Sequence, residues 1–335
     1  MKINAYAASS EKETLKPFSY EAKELGAWDV GIEISHCGIC HSDLHLVDNG
    51  WNISEYPLVP GHEIIGTVKE VGANITHLKK EDRVGVGWQC SSCMQCEWCI
   101  TGEEQLCLEI KATCANQFGG YADYIRTDGR FAFCIPQELP SEFAAPLLCG
   151  GATVFTPLMR YDMGPTKKVG IIGIGGLGHL ALQFAKAMGC EVTALSSSPS
   201  KEKEAKELGA HHFLLSKNTE QLKKAANSFD FLLSSSTHGV DWELYLSLLR
   251  PKGKLCLLGA LEQELHTNIM NLVGGSKMIC GSNIGSRPGI KKMLEFAAFH
   301  TVRPKIEVYP MNKVNEAIEK LKANKIRYRA VLKNG

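Results

Sequence analysis

Neither sign of charge dominates this 335-residue chain: 37 Lys and Arg stand against 36 Asp and Glu, a net +1. Recruitment of nucleic acid or of an anionic membrane by bulk electrostatics is therefore excluded, and a small-molecule partner is expected. No uncharged apolar run reaches the ~18 residues that a membrane span needs. The first residues, MKINAYAASSEKETLKPFSYEAKE, lack an apolar core ahead of a small-residue cleavage site, so the protein is expected to be cytoplasmic, with neither a membrane nor a nucleic acid as partner. Internal repeats and low-complexity segments are missing as well. Cysteine, by contrast, is plentiful at 13 residues. In a chain of this length and a reducing compartment, such cysteines are metal ligands, nucleophiles or small buried side chains rather than a disulfide scaffold.

The length favours two domains. WDVGIEISHC and EIIGTVKEVG alternate as half-buried strands do, and RVGVGW follows a charged turn, which predicts an irregular β domain. From Lys167 the pattern changes: KKVGIIGIGG, the helix-spaced LGHLALQFAKAMG, EVTALSS, SKEKEAKELG, FDFLLSS, DWELYLSLL, KLCLLGA and MICGSNI alternate strand with helix. That order predicts βαβ units and a doubly wound parallel sheet. The tail after Pro288 is too short to fold alone and is expected to return to the first domain.

Gly173, Gly175 and Gly178 have G-x-G-x-x-G spacing between an apolar strand and an amphipathic helix. With Gly176 and Leu177 they form a turn whose backbone N–H groups can approach a pyrophosphate at a helix N-terminus. At the end of the next strand an NAD site usually carries a carboxylate for the ribose. Here Ser196, Ser197 and Ser198 occupy that place, with Lys201 one turn later. Hydroxyls and a cation suit a 2′-phosphate, so NADP(H) is preferred over NAD. The same serines also suit a helix cap, and the two readings are compatible.

Cys90–Cys107 reads CSSCMQCEWCITGEEQLC, five cysteines in eighteen residues. Cys90, Cys93, Cys96 and Cys99 approach a ferredoxin spacing but lack its longer fourth gap and following proline. Cys93, Cys96, Cys99 and Cys107 are the alternative set. Elsewhere Cys40 and His62 are suitable zinc ligands, though two residues do not make a site.

GHE-x2-G-x5-G, GICHSD, LLCGGATVF, GIGGLGH, SSSPSK, FGGYADY and LRPKGKL occur in the order found in the zinc-dependent medium-chain alcohol dehydrogenases, and the chain resembles their cinnamyl alcohol dehydrogenase group over almost its whole length. The resemblance implies a GroES-like β-barrel catalytic domain from 1–150 and 301–335, and a Rossmann domain from 151–300. It implies two zinc ions per chain. Cys40, His62 and Cys149 would hold the catalytic one, with Glu63 beside it and Asp43 orienting His62; three ligands leave a tetrahedral position open. Cys93, Cys96, Cys99 and Cys107 would close the sphere of a structural one and leave Cys90 as a free thiol. Ser42 would touch the substrate alcohol and His45 would carry its proton to solvent. Trp51 and Trp88 would wall the substrate pocket, while Ile284, Arg329 and His41 would touch the cofactor. The expected activity is hydride transfer between NADP(H) and an aromatic or medium-chain alcohol or aldehyde, in a homodimer, in the cleft between the domains. A polyol or formaldehyde dehydrogenase, or a redox sensor that binds dinucleotide without catalysis, are the alternatives. The loop KATCANQ leading into FGGYADY is shorter than in these relatives.

Overall fold

The computed structural model describes residues 1–236, 241–258 and 264–335, which divide into two compact units, Met1–Ala152 with Gly285–Gly335, and Thr153–Ile284. In the first, a seven-stranded sheet is built around the long strand Asp29–Ile39. Ile64–Val71, Tyr124–Asp128 and Arg329–Lys333 all pair with it antiparallel, and Arg83–Val86, Ala132–Cys134 and Ile306–Pro310 extend the sheet. Alternation explains the geometry: Val30, Ile32 and Ile34 are buried with Ile64, Val68, Val84 and Val86 in one apolar cluster. Ala330 lies opposite Ile39, so the last strand of the chain completes the first unit's sheet.

The second unit is a six-stranded, all-parallel sheet of Lys168–Ile172, Glu191–Ser196, His212–Leu215, Phe229–Ser234, Leu249–Leu258 and Met278–Ser282. Its spatial order is third, second, first, fourth, fifth, sixth, the doubly wound order predicted from the alternation of strands and helices. Near-continuous apolar strands such as Phe229–Ser234, and helices such as Gly178–Ala187, supply its core.

The return to the first unit begins at Gly285, close to the Pro288 at which the sequence pattern changes; residues 285–300, which the family resemblance assigned to the Rossmann domain, group with the first unit. The cause is a long-range tie at the start of helix Arg287–Phe299: the Arg287 Nε donates at 2.8 Å to Glu104, a carboxylate only 1% exposed, and its backbone N–H donates to the same group at 3.2 Å. Among the described residues no single helix is long and apolar enough to cross a membrane.

Candidate active site

Cys40 follows the central strand of the first unit and caps the helix His41–Val47 in an extended conformation. Three residues on, Asp43 turns back and accepts the Cys40 N–H at 2.8 Å, as an acidic residue in the first helical turn can. The same carboxylate accepts the Gly61 N–H at 2.9 Å, the Tyr121 hydroxyl at 3.2 Å and the His62 Nδ1–H at 2.9 Å. Asp43 is 1% exposed, and these donors supply the hydrogen bonds that a buried carboxylate requires. Gly61 is what lets the chain pass: its φ is +103°, and a Cβ there would meet the Tyr121 ring at 2.6 Å.

With Nδ1 donating to Asp43, the lone pair of His62 sits on Nε2. That buried atom has no hydrogen-bond partner. It faces a cluster in which one donor atom each from Cys40, His62, Glu63 and Cys149 lies within 4.8 Å of all the others. The Cys40 and Cys149 sulfurs are 3.9 Å apart. Two thiolates on a tetrahedral zinc at ~2.3 Å would be separated by about 3.8 Å, so the donor set and its spacing fit that ion. The hydrogen bond from Cys149 holds the Cys40 thiol well below its ordinary pKa, against the opposing cost of burial. Burial pushes Glu63 up to about 7 even though the Arg329 guanidinium opposes it.

Arg329, expected at the cofactor, is 4% exposed, and the contact its guanidinium makes in the first unit is with Glu63. Sequence reading missed this pair, as it missed the Tyr121 hydroxyl; FGGYADY was legible as a motif but assigned no role to its tyrosine. Cys114, in the loop KATCANQ, lies 3.8 Å from His62 Nδ1 and 3.9 Å from the Asp43 carboxylate. Burial raises its thiol to about 11. Asp43, His62 and Cys114 are themselves close enough to be metal donors, but Asp43 and Nδ1 are already committed to one another.

Ser42 is half-buried, with its hydroxyl 3.7 Å from the Cys40 sulfur. An aromatic series leads outward: the Trp88 ring meets His62 edge-on at 5.1 Å, Trp51 meets Trp88 at 5.9 Å, and His45 stacks on Trp51 at 5.1 Å. His41 is exposed at the start of the helix.

A second cluster joins Cys93, Cys96, Cys99 and Cys107. The Cys96–Cys99 and Cys93–Cys107 sulfur distances are both 3.6 Å, and Cys93–Cys99 is 3.9 Å, again the edges of a tetrahedron of the size zinc forms with thiolates. Cys90 stays out of this cluster. It is buried, donates to the Lys111 carbonyl at 3.3 Å, and burial pushes its thiol up to about 12.

In the second unit, Gly173 follows the first strand with φ +85°, and Gly178 opens the helix Gly178–Ala187. A Cβ on Gly178 would lie 1.9 Å from the Gly173 carbonyl oxygen, whereas one on Gly175 would meet nothing, so the turn is tight on one side and open on the other. Leu177 caps the helix and Gly176 precedes it. Leu195 aligns with Ile172 in the parallel sheet, which brings the ends of the first two strands side by side. Ser196 there is buried, Ser197 exposed and Ser198 half-buried; Ser198 donates its N–H to the Ser196 hydroxyl at 3.2 Å. The Lys201 ammonium donates to the Ile174 carbonyl in the glycine turn. Ile284, at the end of the unit, is 5% exposed.

The chain is similar to known proteins over its whole length. Residues 26–137 match the alcohol dehydrogenase GroES-like domain, and residues 176–298 match the zinc-binding dehydrogenase domain. An aldehyde reductase of Synechocystis sp. is 43% identical over 330 residues, 98% of each chain. The chain belongs to the zinc-dependent medium-chain alcohol dehydrogenases, in the cinnamyl alcohol dehydrogenase-like group. Among solved structures of that group, a cinnamyl alcohol dehydrogenase from Sorghum bicolor superposes with a TM-score of 0.95 at 40% identity, covering 99% of this chain and 98% of that one. CAD from Helicobacter pylori, solved in complex with NADP(H), gives 0.90 at 32% identity over 99% and 98%. The GroES-like and Rossmann folds expected from the sequence are therefore those of this dehydrogenase's relatives.

Proposed function

We propose that this dehydrogenase works as an NADP(H)-dependent aldehyde reductase, reducing aromatic or medium-chain aldehydes and oxidising the matching primary alcohols. The observation that carries the site assignment is the convergence of Cys40, His62 and Cys149 on one point, with the His62 Nε2 lone pair buried and unpartnered. When bound, zinc supplies Lewis acidity at the substrate oxygen and NADPH supplies the hydride. Asp43 fixes the His62 tautomer and holds Cys40 and Gly61 in place through their backbone N–H groups. Ser42 touches the substrate oxygen, and His45, half-exposed on Trp51, passes its proton to solvent. Trp51 and Trp88 give the pocket an apolar wall that suits a flat or extended aldehyde.

The reading is tested by steady-state assay of zinc-loaded protein with NADPH and a panel of aldehydes. Turnover is expected to favour the aromatic and medium-chain members; none with any aldehyde, at two zinc ions per chain, would refute it. The Asp43→Asn variant turns an NH2 group towards donors, and a fall of about 10–100-fold in zinc affinity or activity is expected. Chelator competition measures the affinity.

Preference for NADP(H) is supported by Ser196, Ser197, Ser198 and Lys201, and by the cofactor in the Helicobacter relative's structure. Ser197 is exposed at the strand end, so Ser197→Asp places a carboxylate against the 2′-phosphate without disturbing the core. The ratio of kcat/KM for NADPH over NADH is expected to fall about tenfold or more, equivalent to ~1.4 kcal/mol. An unchanged ratio would remove these serines from the cofactor site.

The protein is further proposed to act as a homodimer in the cytoplasm. Ile269, Met270, Val273 and Met278 are 47–64% exposed beside and along the last strand of the parallel sheet, an apolar surface suited to a second copy. Thirteen free cysteines fit a reducing compartment.

A further inference from the structure

Tyr121 belongs to neither set of zinc ligands, yet it grips the segment that carries His62 in two ways. Its backbone N–H donates to the Pro60 carbonyl at 2.9 Å, and the N–H of the preceding Gly120 donates to the Gly61 carbonyl at 2.7 Å. On the other side its own carbonyl accepts the Tyr6 N–H at 2.8 Å, so this short stretch is tied along both edges. The side chain is fully buried, packs past the bare Cα of Gly61, and ends with its hydroxyl on Asp43.

The two oxygens of Asp43 divide these donors. Oδ1 accepts the Gly61 N–H and the His62 Nδ1–H, both at 2.9 Å. Oδ2 accepts the Cys40 N–H at 2.8 Å and the Tyr121 hydroxyl at 3.2 Å. We propose that Tyr121 is a positioning residue of the catalytic zinc site: its hydroxyl fixes the rotation of the Asp43 carboxylate and, through it, the aim of the His62 Nε2 lone pair. This inference rests on the reading of Cys40, His62 and Cys149 as zinc ligands.

A buried carboxylate keeps one orientation when both of its oxygens are fully engaged. Without the Tyr121 hydroxyl, Oδ2 retains the Cys40 N–H alone, and a polar site on a group 1% exposed is left unmet, which costs more for a charged acceptor than for a neutral one. The carboxylate then turns towards the donors that remain. His62 Nδ1–H follows it, because that hydrogen bond sets the orientation of the ring, and Nε2 leaves the point on which Cys40 and Cys149 converge. Burial, and then the charge on Asp43, push the Tyr121 hydroxyl well above its ordinary pKa, so it stays protonated and serves Asp43 as a donor.

The test uses full-length, zinc-loaded protein and removes one oxygen atom with Tyr121→Phe. The zinc dissociation constant of the catalytic site is measured by chelator competition, with Cys149→Ser, which lacks that site, giving the contribution of the four-cysteine cluster. Tyr121→Phe is expected to raise the constant about tenfold, the lower end of what losing an outer partner of a metal ligand costs. In an Asp43→Ala background the same change should have no effect, because the group that the hydroxyl holds is gone. Tyr124→Phe, which removes a hydroxyl donated to Glu70 at 2.6 Å, should leave the constant as it is. An unchanged constant in Tyr121→Phe, while Cys149→Ser empties its site, would overturn the positioning role and leave the ligand assignment standing. Equal losses with and without Asp43 would also overturn it, since the tyrosine would then act through packing alone. Retention of both zinc ions by Cys149→Ser would instead overturn the ligand assignment beneath it.

Discussion

Replacing Cys149 by serine should cut kcat/KM for aldehyde reduction with NADPH by about three orders of magnitude or more. Polarisation of the substrate oxygen by the metal is worth several kcal/mol, and each 1.36 kcal/mol is tenfold. Cys149 follows the short helical turn Ala145–Leu148 in the buried core of the first unit, so its sulfur reaches Cys40 and His62 from a residue 109 positions from Cys40. Serine keeps the shape of that turn but replaces a soft thiolate with a neutral hydroxyl, a poor zinc ligand. Three measurements separate the causes. Zinc analysis should fall from two ions per chain to about one, the far-UV circular dichroism should be unchanged, and NADPH affinity, carried by the other unit, should be retained. Activity within tenfold of the wild type would show that Cys149 is not a ligand. Lost activity together with a lost fold would show the side chain to be structural, which Cys149→Ala, lacking any hydroxyl to bury, would repeat.

The parts of this site that a reader of the sequence can recover are the ones carried by short motifs. Gly173, Gly175 and Gly178 declare themselves because a tight turn between strand and helix constrains residues only a few positions apart. Asp43 came from the family resemblance, as the group that orients His62; its hydrogen bond from the Cys40 N–H, three residues back, is seen only in the structure. The rest depends on contacts that no local pattern encodes. Arg329 reaches Glu63 across 266 positions, and Arg287 reaches Glu104 across 183. In each the carboxylate is buried and the partners lie in segments that look ordinary alone; Arg329 is buried as well, whereas Arg287 is 25% exposed, so the cost of leaving one charge unpaired, several kcal/mol, falls on the fully buried pair. Tyr121 shows a different limit. Its place in FGGYADY marks it, yet only the fold brings its hydroxyl to Asp43.

The largest effect on stability should come from the second cluster. Cys107→Ser, or stripping of the structural zinc by a chelator, is expected to unfold the segment from Cys90 to Cys107 while the second unit stays folded. The segment holds little apolar surface out of water: Ile100 is 74% exposed, Trp98 41% and Leu106 37%, and Leu108 just beyond it is 98% exposed. Its regular structure is the end of the short strand Gln89–Ser91, paired with Lys111–Ala112, one turn of helix at Glu97–Ile100 and a shorter turn at Glu104–Leu106, the helical pieces far below the length that is stable alone. Structural zinc contributes roughly 10–16 kcal/mol of binding free energy in small domains, and zinc held by these four cysteines would supply energy of that order to the loop. Loss should also release Glu104 from Arg287, so the disturbance should reach the helix Arg287–Phe299. Hydrogen exchange by mass spectrometry reads this directly: residues 90–107 and the first turn of that helix should lose protection, and strands 168–172 and 191–196 should keep theirs. Proteolysis should then cut between Cys90 and Cys107 first. Unchanged protection of this segment in Cys107→Ser would mean that hydrogen bonds and the Glu104–Arg287 pair suffice to fold it, and that the four cysteines are not its scaffold.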